Sequence, residues 1–149
     1  MFLGGTDLKL DVKGRIAIPS KHREALVSDD GGGRIVITAH PQGCLLVYPV
    51  PAWEPIRDQV LCAPSLDPRA ARLKRLIIGY AQEEALDSAG RVLVSPELRK
   101  YAGLEKDVRL VGQGTHFELW SYERWQVQEQ DIMTLTADEL PPGFERLAF

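Results

Sequence analysis

Apolar and polar residues alternate in short bursts near the start of the chain, the period-two signature of strands with one buried face. Leu8-Lys9-Leu10 and Arg15-Ile16-Ala17-Ile18 predict two such strands, joined through a turn at Val12-Lys13-Gly14 where Gly14 suits a backbone with positive φ. Ser20 to Leu26 is short and helical, and Asp29 to Gly33 reads as a flexible loop tip. Ile35 to Thr38 and Cys44 to Tyr48 predict a hairpin around Pro41-Gln42-Gly43. The period then lengthens. Pro51 to Leu61 places Trp53, Ile56, Val60 and Leu61 along one side of a helix. After Pro64-Ser65-Leu66-Asp67-Pro68, Asp67 caps a second helix whose Leu73, Leu76, Ile77 and Tyr80 lie opposite Arg69, Arg72 and Arg75.

Alternation returns in strands at Ala81 to Leu86 and Val92 to Val94, followed by a short helix from Pro96 to Tyr101 that Gly103 ends. A hairpin of Val108 to Val111 and His116 to Trp120 turns across Gly112-Gln113-Gly114. Ser121 caps a last helix through Trp125 to about Met133, and the acidic tail Thr136 to Phe149 is peripheral.

The second series repeats the first. Leu10-Asp11-Val12-Lys13-Gly14-Arg15-Ile16-Ala17-Ile18 returns seventy-six positions later as Leu86-Asp87-Ser88-Ala89-Gly90-Arg91-Val92-Leu93-Val94, and Arg23 and Arg99 keep the same offset. After a four-residue contraction Cys44 to Tyr48 corresponds to His116 to Trp120, and Trp53 to Trp125. So long a period excludes a solenoid of short repeats and predicts an internal pseudo-dimer, two copies of one small fold about an approximate two-fold axis.

A net charge of −3 weakens the case for a nucleic-acid partner until its distribution is counted. Residues 118–149 hold two basic against seven acidic side chains, whereas residues 1–117 carry a net +2. Local fields follow the arrangement of charges, so a basic binding surface remains open. No apolar run approaches the roughly 18 residues of a membrane span, and the N-terminus lacks the pattern of a signal peptide, so the cytoplasm is the expected compartment. Cys44 and Cys62 are expected as buried or half-buried free thiols, and His22, His40 and His116 are too scattered for a zinc site. No metal or cofactor is expected. Gly112-Gln113-Gly114, without a third glycine or a following helix, is a hairpin turn and not a dinucleotide site.

The repeated Asp-x-x-Gly-Arg turn admits two readings. In the structural one, Asp11 and Asp87 accept backbone N–H bonds while Arg15 and Arg91 reach the carboxylates, with Gly14 and Gly90 completing a tight connection. In the functional one, the turns present cations to duplex DNA: Lys13, Arg15 and Arg91, with Lys9, Lys21 and Arg23 nearby in sequence. The first turn has Val12-Lys13 where the second has Ser88-Ala89, so the first is expected to carry more of the binding. An enzyme reading, in which the duplicated aspartates form an aspartic-protease dyad, meets the wrong following residues and an arginine that would keep each carboxylate ionised; no catalytic residue is expected. The basic face of Arg69, Arg72, Lys74 and Arg75 is a solvated helix surface, an inter-subunit ion-pair surface or an auxiliary phosphate contact.

Asp11-Val12-Lys13-Gly14-Arg15 and Asp87-Ser88-Ala89-Gly90-Arg91, each followed by an alternating strand and a Pro-led helix, resemble the paired signatures of the MraZ family. Met1-Phe2-Leu3-Gly4-Gly5 and the segment Glu118-Leu119-Trp120 to Trp125 are similar too, and the resemblance runs to about residue 133. It implies an α+β fold of two tandem AbrB-like swapped-hairpin β-barrel units with short helices, related by a pseudo-two-fold axis within one chain. The expected organisation is a first repeat over 1–53, connecting helices over 54–80, a second repeat over 81–125 and a C-terminal helix and acidic tail over 126–149. The resemblance further implies a transcriptional regulator of the bacterial division and cell-wall gene cluster, binding repeated G-rich promoter boxes and repressing its own operon, in a ring-like homo-oligomer on the nucleoid. It places DNA contact on Arg15 and Arg91, with Lys13 beside the first. Ser88-Ala89 and Ser95 depart from the family pattern. No membrane or small-molecule partner is implied. The alternative is a protein-interaction module whose Asp/Arg turns are purely structural.

Overall fold

The computed structural model describes residues 1–27, 33–64 and 66–149; the loop tip expected at Asp29 to Gly33 lies outside them except for Gly33, as does Ser65 of the proline-flanked linker. The fold is α+β, with eight strands and five helices among the described residues. The first half contributes β1 (Gly5–Lys9), β2 (Arg15–Ala17), α1 (Ser20–Val27), β3 (Arg34–Ala39), β4 (Leu45–Pro49), α2 (Val50–Cys62) and α3 (Pro68–Ile77). The second contributes β5 (Gln82–Ala85), β6 (Arg91–Leu93), α4 (Pro96–Ala102), β7 (Asp107–Gly112), β8 (Phe117–Ser121) and α5 (Tyr122–Met133). Helix starts follow their caps. Asp67 accepts from the Arg69 amide ahead of α3, and Ser95 and Ser121 accept from the amides of Leu98 and Arg124. Gly103, at φ +63°, ends α4 in the left-handed conformation that glycine adopts at least cost.

Pairing between strands is where the two halves interlock. Six strands form one antiparallel sheet in the order β1-β7-β8-β4-β3-β5, and β2 pairs with β6 as a separate two-stranded ribbon. The sequential neighbours β1 and β2 are therefore joined by their turn without pairing. Instead each half lends its first strand to the other half's hairpin: β1 lies against β7, and β5 against β3. The sheet order reads the same under exchange of the halves. Two registers sit on the axis of that exchange, Ile16 opposite Val92 and Leu46 opposite Glu118, each an equivalent pair in the two repeats. The six-stranded sheet ends at β1 and β5, so it does not close into a barrel.

Alternation along the central strands divides the protein into layers. Ile35, Ile37, Leu45, Val47, Val108, Leu110, Phe117 and Leu119 face the ribbon, where Ile16, Ile18, Val92 and Val94 complete the main core with Leu26 of α1 and Leu98 of α4. Burial of each such side chain contributes roughly 1.5–3 kcal/mol. On the opposite face Val36, Leu46 and Tyr48 pack under Trp53 and Ile77 of α2 and α3, while Trp125 of α5 covers Trp120 with ring centroids 6.3 Å apart. Thr38, fully buried, donates its hydroxyl to the Ile77 carbonyl at 2.6 Å and ties α3 to β3. Leu61 and Leu73, expected on apolar faces, remain a little under half exposed, because the helices present a narrower stripe to the sheet than their apolar residues would allow.

Cys44 is buried, which pushes its thiol up to about 12 and leaves it protonated, whereas Cys62, the last residue of α2, is exposed rather than half-buried. His22 is buried beside Phe2 and Phe117, with centroids 5.8 and 5.0 Å away. Burial first, then the nearby Lys21 and N-terminal charges, lower its pKa below the ordinary 6.5. The unfolded chain therefore takes up a proton that the folded state resists, and stability should fall as pH drops from about 6.5 towards the folded value. His116, stacked on Tyr48 and depressed chiefly by burial, has the same sign. Denaturant midpoints across this range should decline on acidification, and His22→Phe should flatten the slope; an unchanged slope would assign the decline to other groups.

Candidate nucleic-acid interface

The two Asp/Arg turns lie at opposite ends of the β2–β6 ribbon, and their geometry is nearly superposable. In the first, one Asp11 oxygen accepts the amides of Lys13 and Arg15, both at 2.9 Å, while the other accepts Arg15 Nε at 2.8 Å. In the second, Asp87 accepts the amides of Ala89 and Arg91 at 2.9 and 2.8 Å and Arg91 Nε at 2.9 Å. These bonds, the backbone amide first, hold both carboxyls below the usual carboxylate range. Each aspartate thus closes its own turn, and each arginine is clamped through Nε with the Nη end of its fork directed away from that bond.

Arg15 and Arg91 fall on the ribbon face opposite the buried Ile16 and Val92. Their registered partners are Leu93 and Ala17, which makes the two arginines diagonal neighbours, about 7–8 Å apart along the ribbon. Arg15 Nη1 also approaches Asp87 Oδ2 at 3.9 Å, linking the first turn electrostatically to the second. Val12 is fully exposed at the first tip, with exposed Lys13 beside it; Lys13 forms no ion pair among the described residues. A twisted two-stranded ribbon bearing two oriented guanidinium groups has the dimensions that the major groove of B-DNA admits.

The other expected cations are placed differently. Lys21 is exposed on the first turn of α1. Lys9, at the end of edge strand β1, lies 3.7 Å from Asp107 in an exposed pair of little energetic weight. Arg23 donates Nε to the Ile18 carbonyl at 2.7 Å and lies against Gly90 of the other half's turn, while the Ile18 amide donates to the Gly90 carbonyl at 2.9 Å. Arg99 mirrors it, donating to the Val94 carbonyl at 2.9 Å and covering Gly14. Arg23, expected among the cations for DNA, and Arg99 are thus both part-buried against the opposite half's turn. Their shared offset in the repeat was the available signal that both brace the opposite turn.

Gly14 and Gly90 each need glycine on two counts, φ of +82° and +74° and a guanidinium packed where a Cβ would stand. Gly90→Ala adds the left-handed penalty of about 1–2 kcal/mol and displaces Arg23. Its melting temperature should fall clearly below that of Gly114→Ala, which has a similar φ but open space around the Cβ position. Equal losses would mean that the Arg23 packing is dispensable.

The fold and this site together define a duplicated chain whose halves exchange strands and display a pair of self-closed Asp/Arg turns. The family model described as "MraZ protein, putative antitoxin-like" matches residues 1–76 and again residues 77–140. The chain is 60% identical over 148 residues to the transcriptional regulator MraZ of Aromatoleum aromaticum, covering 99% of both chains. It is 56% identical over 144 residues to the protein of that name from Dechloromonas aromatica, covering 97% of both, and 48% identical over 151 aligned positions to that of Halorhodospira halophila, covering 99% of both. The chain belongs to the MraZ family, with two MraZ domains in tandem.

Proposed function

We propose that this protein is a transcriptional regulator, as its relatives are named, and that it binds duplex DNA through the solvent face of the β2–β6 ribbon. The observation that carries the reading is the pair of arginines on that face, each oriented through Nε by Asp11 or Asp87, with side chains 25% and 41% exposed. Clamping removes most of the ordering cost of binding, and an oriented Arg fork suits paired acceptors such as guanine O6 and N7. Lys13 supplies a phosphate contact at the first turn and Lys21, on the helix whose Arg23 packs on Gly90, one beside the second, while Arg15 and Arg91 make the base contacts. Arg23 acts through the turn it braces, and Lys9 is peripheral to the ribbon.

In this reading the repeats over 1–53 and 81–125 are AbrB-like swapped hairpins, joined by the helices of 54–80 and followed by the segment 126–149. The exchanged strands β1 and β5 support that assignment. The targets are repeated G-rich boxes before the division and cell-wall genes, and occupancy represses the protein's own operon. The protein works without catalysis, in the cytoplasm on the nucleoid. One chain offers few phosphate contacts, so specific affinity requires a homo-oligomer, ring-like in form, that engages successive boxes and gains roughly 10²- to 10⁴-fold from linkage.

Mobility shifts with the DNA upstream of the protein's own gene, run over a salt series, test the reading. Log K should fall against log salt by about 0.9 per phosphate neutralised. Lys13→Ala should weaken binding and shallow that slope by about one per engaged turn, whereas Ala89→Lys should leave binding unchanged or strengthen it. Salt-independent affinity, or weaker binding on adding Lys at position 89, would count against ribbon-led contact. A second reading, a protein-interaction module, draws on the internal satisfaction of both Asp/Arg pairs; it requires that loss of the Arg15 side chain leave DNA affinity unchanged.

A further inference from the structure

We infer that the groove along α3 receives the acidic C-terminal tail of a second copy of this chain, an inference that rests on the homo-oligomer reading above and names its contact surface. The groove is open, about 530 Å³, and lies where α3 passes Pro41 and Tyr101. Leu73, Leu76, Tyr80 and Tyr101 give it an apolar floor, and Arg72 and Arg75 stand on its rim. Neither of these arginines forms an ion pair among the described residues, whereas Arg69 is drawn back onto Asp67 at 3.2 Å.

The tail has the complementary chemistry. Beyond α5 every residue is exposed, and Asp138, Glu139 and Glu145, against the single cation Arg146, are interspersed with Leu140, Phe144 and Leu147. Local bonds from the Phe144 amide to the Pro141 carbonyl and from the Leu147 amide to the Phe144 carbonyl, both 3.1 Å, shape it into compact turns with its apolar side chains outward. An acidic segment with several exposed large apolar residues matches an apolar floor with a cationic rim. Within its own chain the tail leaves the groove empty. Arg124 anchors the start of α5 beside the groove, donating to the carbonyls of Gly43 and Tyr101 at 2.7 and 3.0 Å. From that anchor the helix sets the root of the tail roughly 14 Å further along its axis.

Asymmetry of the halves fixes the kind of contact. Among the described residues α3 has no counterpart after α5, so each chain carries one such groove and one tail. Groove to tail is a heterologous contact, which propagates from copy to copy and closes into a ring when the rotation allows. This gives the chain's internal pseudo-two-fold no part in assembly and leaves the ribbon free.

Light scattering on the full-length protein and two full-length double variants tests the inference. Arg72→Glu/Arg75→Glu breaks the groove, and Phe144→Ser/Leu147→Ser breaks the tail, both at surface positions remote from the core. Each variant alone should fall to the 16.6 kDa of one chain, and an equimolar mixture should recover a two-chain species, since one partner keeps the tail and the other the groove. If the parent is assembled and both variants keep its mass, the groove is overturned while oligomerisation stands. A parent that is monomeric throughout overturns both readings. A groove variant with unchanged mass and weakened DNA affinity overturns the inference in favour of phosphate contact, and a mixture that stays monomeric overturns the pairing of groove with tail.

Discussion

Arg15→Ala is expected to remove specific DNA binding while the protein stays folded. Asp11 would keep the amides of Lys13 and Arg15, and the reciprocal bond from the Asp11 amide to the Arg15 carbonyl, 2.9 Å, needs no side chain. The turn therefore keeps its backbone frame and loses only the guanidinium. One bidentate base contact is worth about 1–3 kcal/mol, a factor of roughly 5 to 150 in affinity for each engaged chain, and a linked assembly multiplies the deficit. Arg15→Lys should keep most of the salt slope and lose discrimination between boxed and unrelated DNA, because an ammonium is a point charge without a fork. Asp11→Ala should behave differently, lowering both stability and binding, since it removes the acceptor of three bonds at once. Mobility shifts beside thermal melts separate these outcomes. An Arg15→Ala protein that melts early, or that binds its promoter as the parent does, would overturn the assignment.

The second large effect is expected beneath the ribbon. Ile16 is fully buried and faces Val92 on the pseudo-two-fold, so Ile16→Ala opens a cavity where both halves meet. Truncations of this kind cost about 2–5 kcal/mol, a large share of the roughly 5–15 kcal/mol that holds an ordinary domain folded. The denaturant midpoint should drop sharply. DNA affinity should fall with it, because the ribbon face that carries Arg15 and Arg91 rests on this side chain. Val92→Ala should cost less, having fewer carbons to lose, and the double variant should be non-additive, since the two residues share one cavity. A midpoint close to the parent's for Ile16→Ala would show that the ribbon is not anchored through this contact.

Local features were legible in the residues. The four-residue reach from Asp11 to Arg15 and from Asp87 to Arg91 fits a carboxylate closing a turn over its own backbone, and the capping residues Asp67 and Ser121 mark helix starts by short-range hydrogen bonding. Alternating or continuous apolar runs between turn residues placed each of the eight strands to within a few residues, and the duplicated motif announced two equivalent halves. Such features depend on contacts a few positions apart, which a single stretch of sequence encodes.

Strand partners and the surroundings of individual cations depend on contacts between distant parts of the chain. A strand's N–H and C=O groups are the same whatever its side chains, so nothing in Leu8-Lys9-Leu10 says that β1 adds to β7 of the other half instead of pairing with β2 next to it. That choice follows from burying one apolar face of every strand at once, a condition on the whole chain. The same holds for Arg23 and Arg99. As residues they are indistinguishable from the chain's other cations, yet each packs on the opposite half's glycine turn. The turns, the repeat and the period of each element rest on local geometry, which a short stretch of residues encodes. Which half completes which sheet, and which arginines pack on a glycine turn, rest on long-range contacts that only the assembled fold resolves.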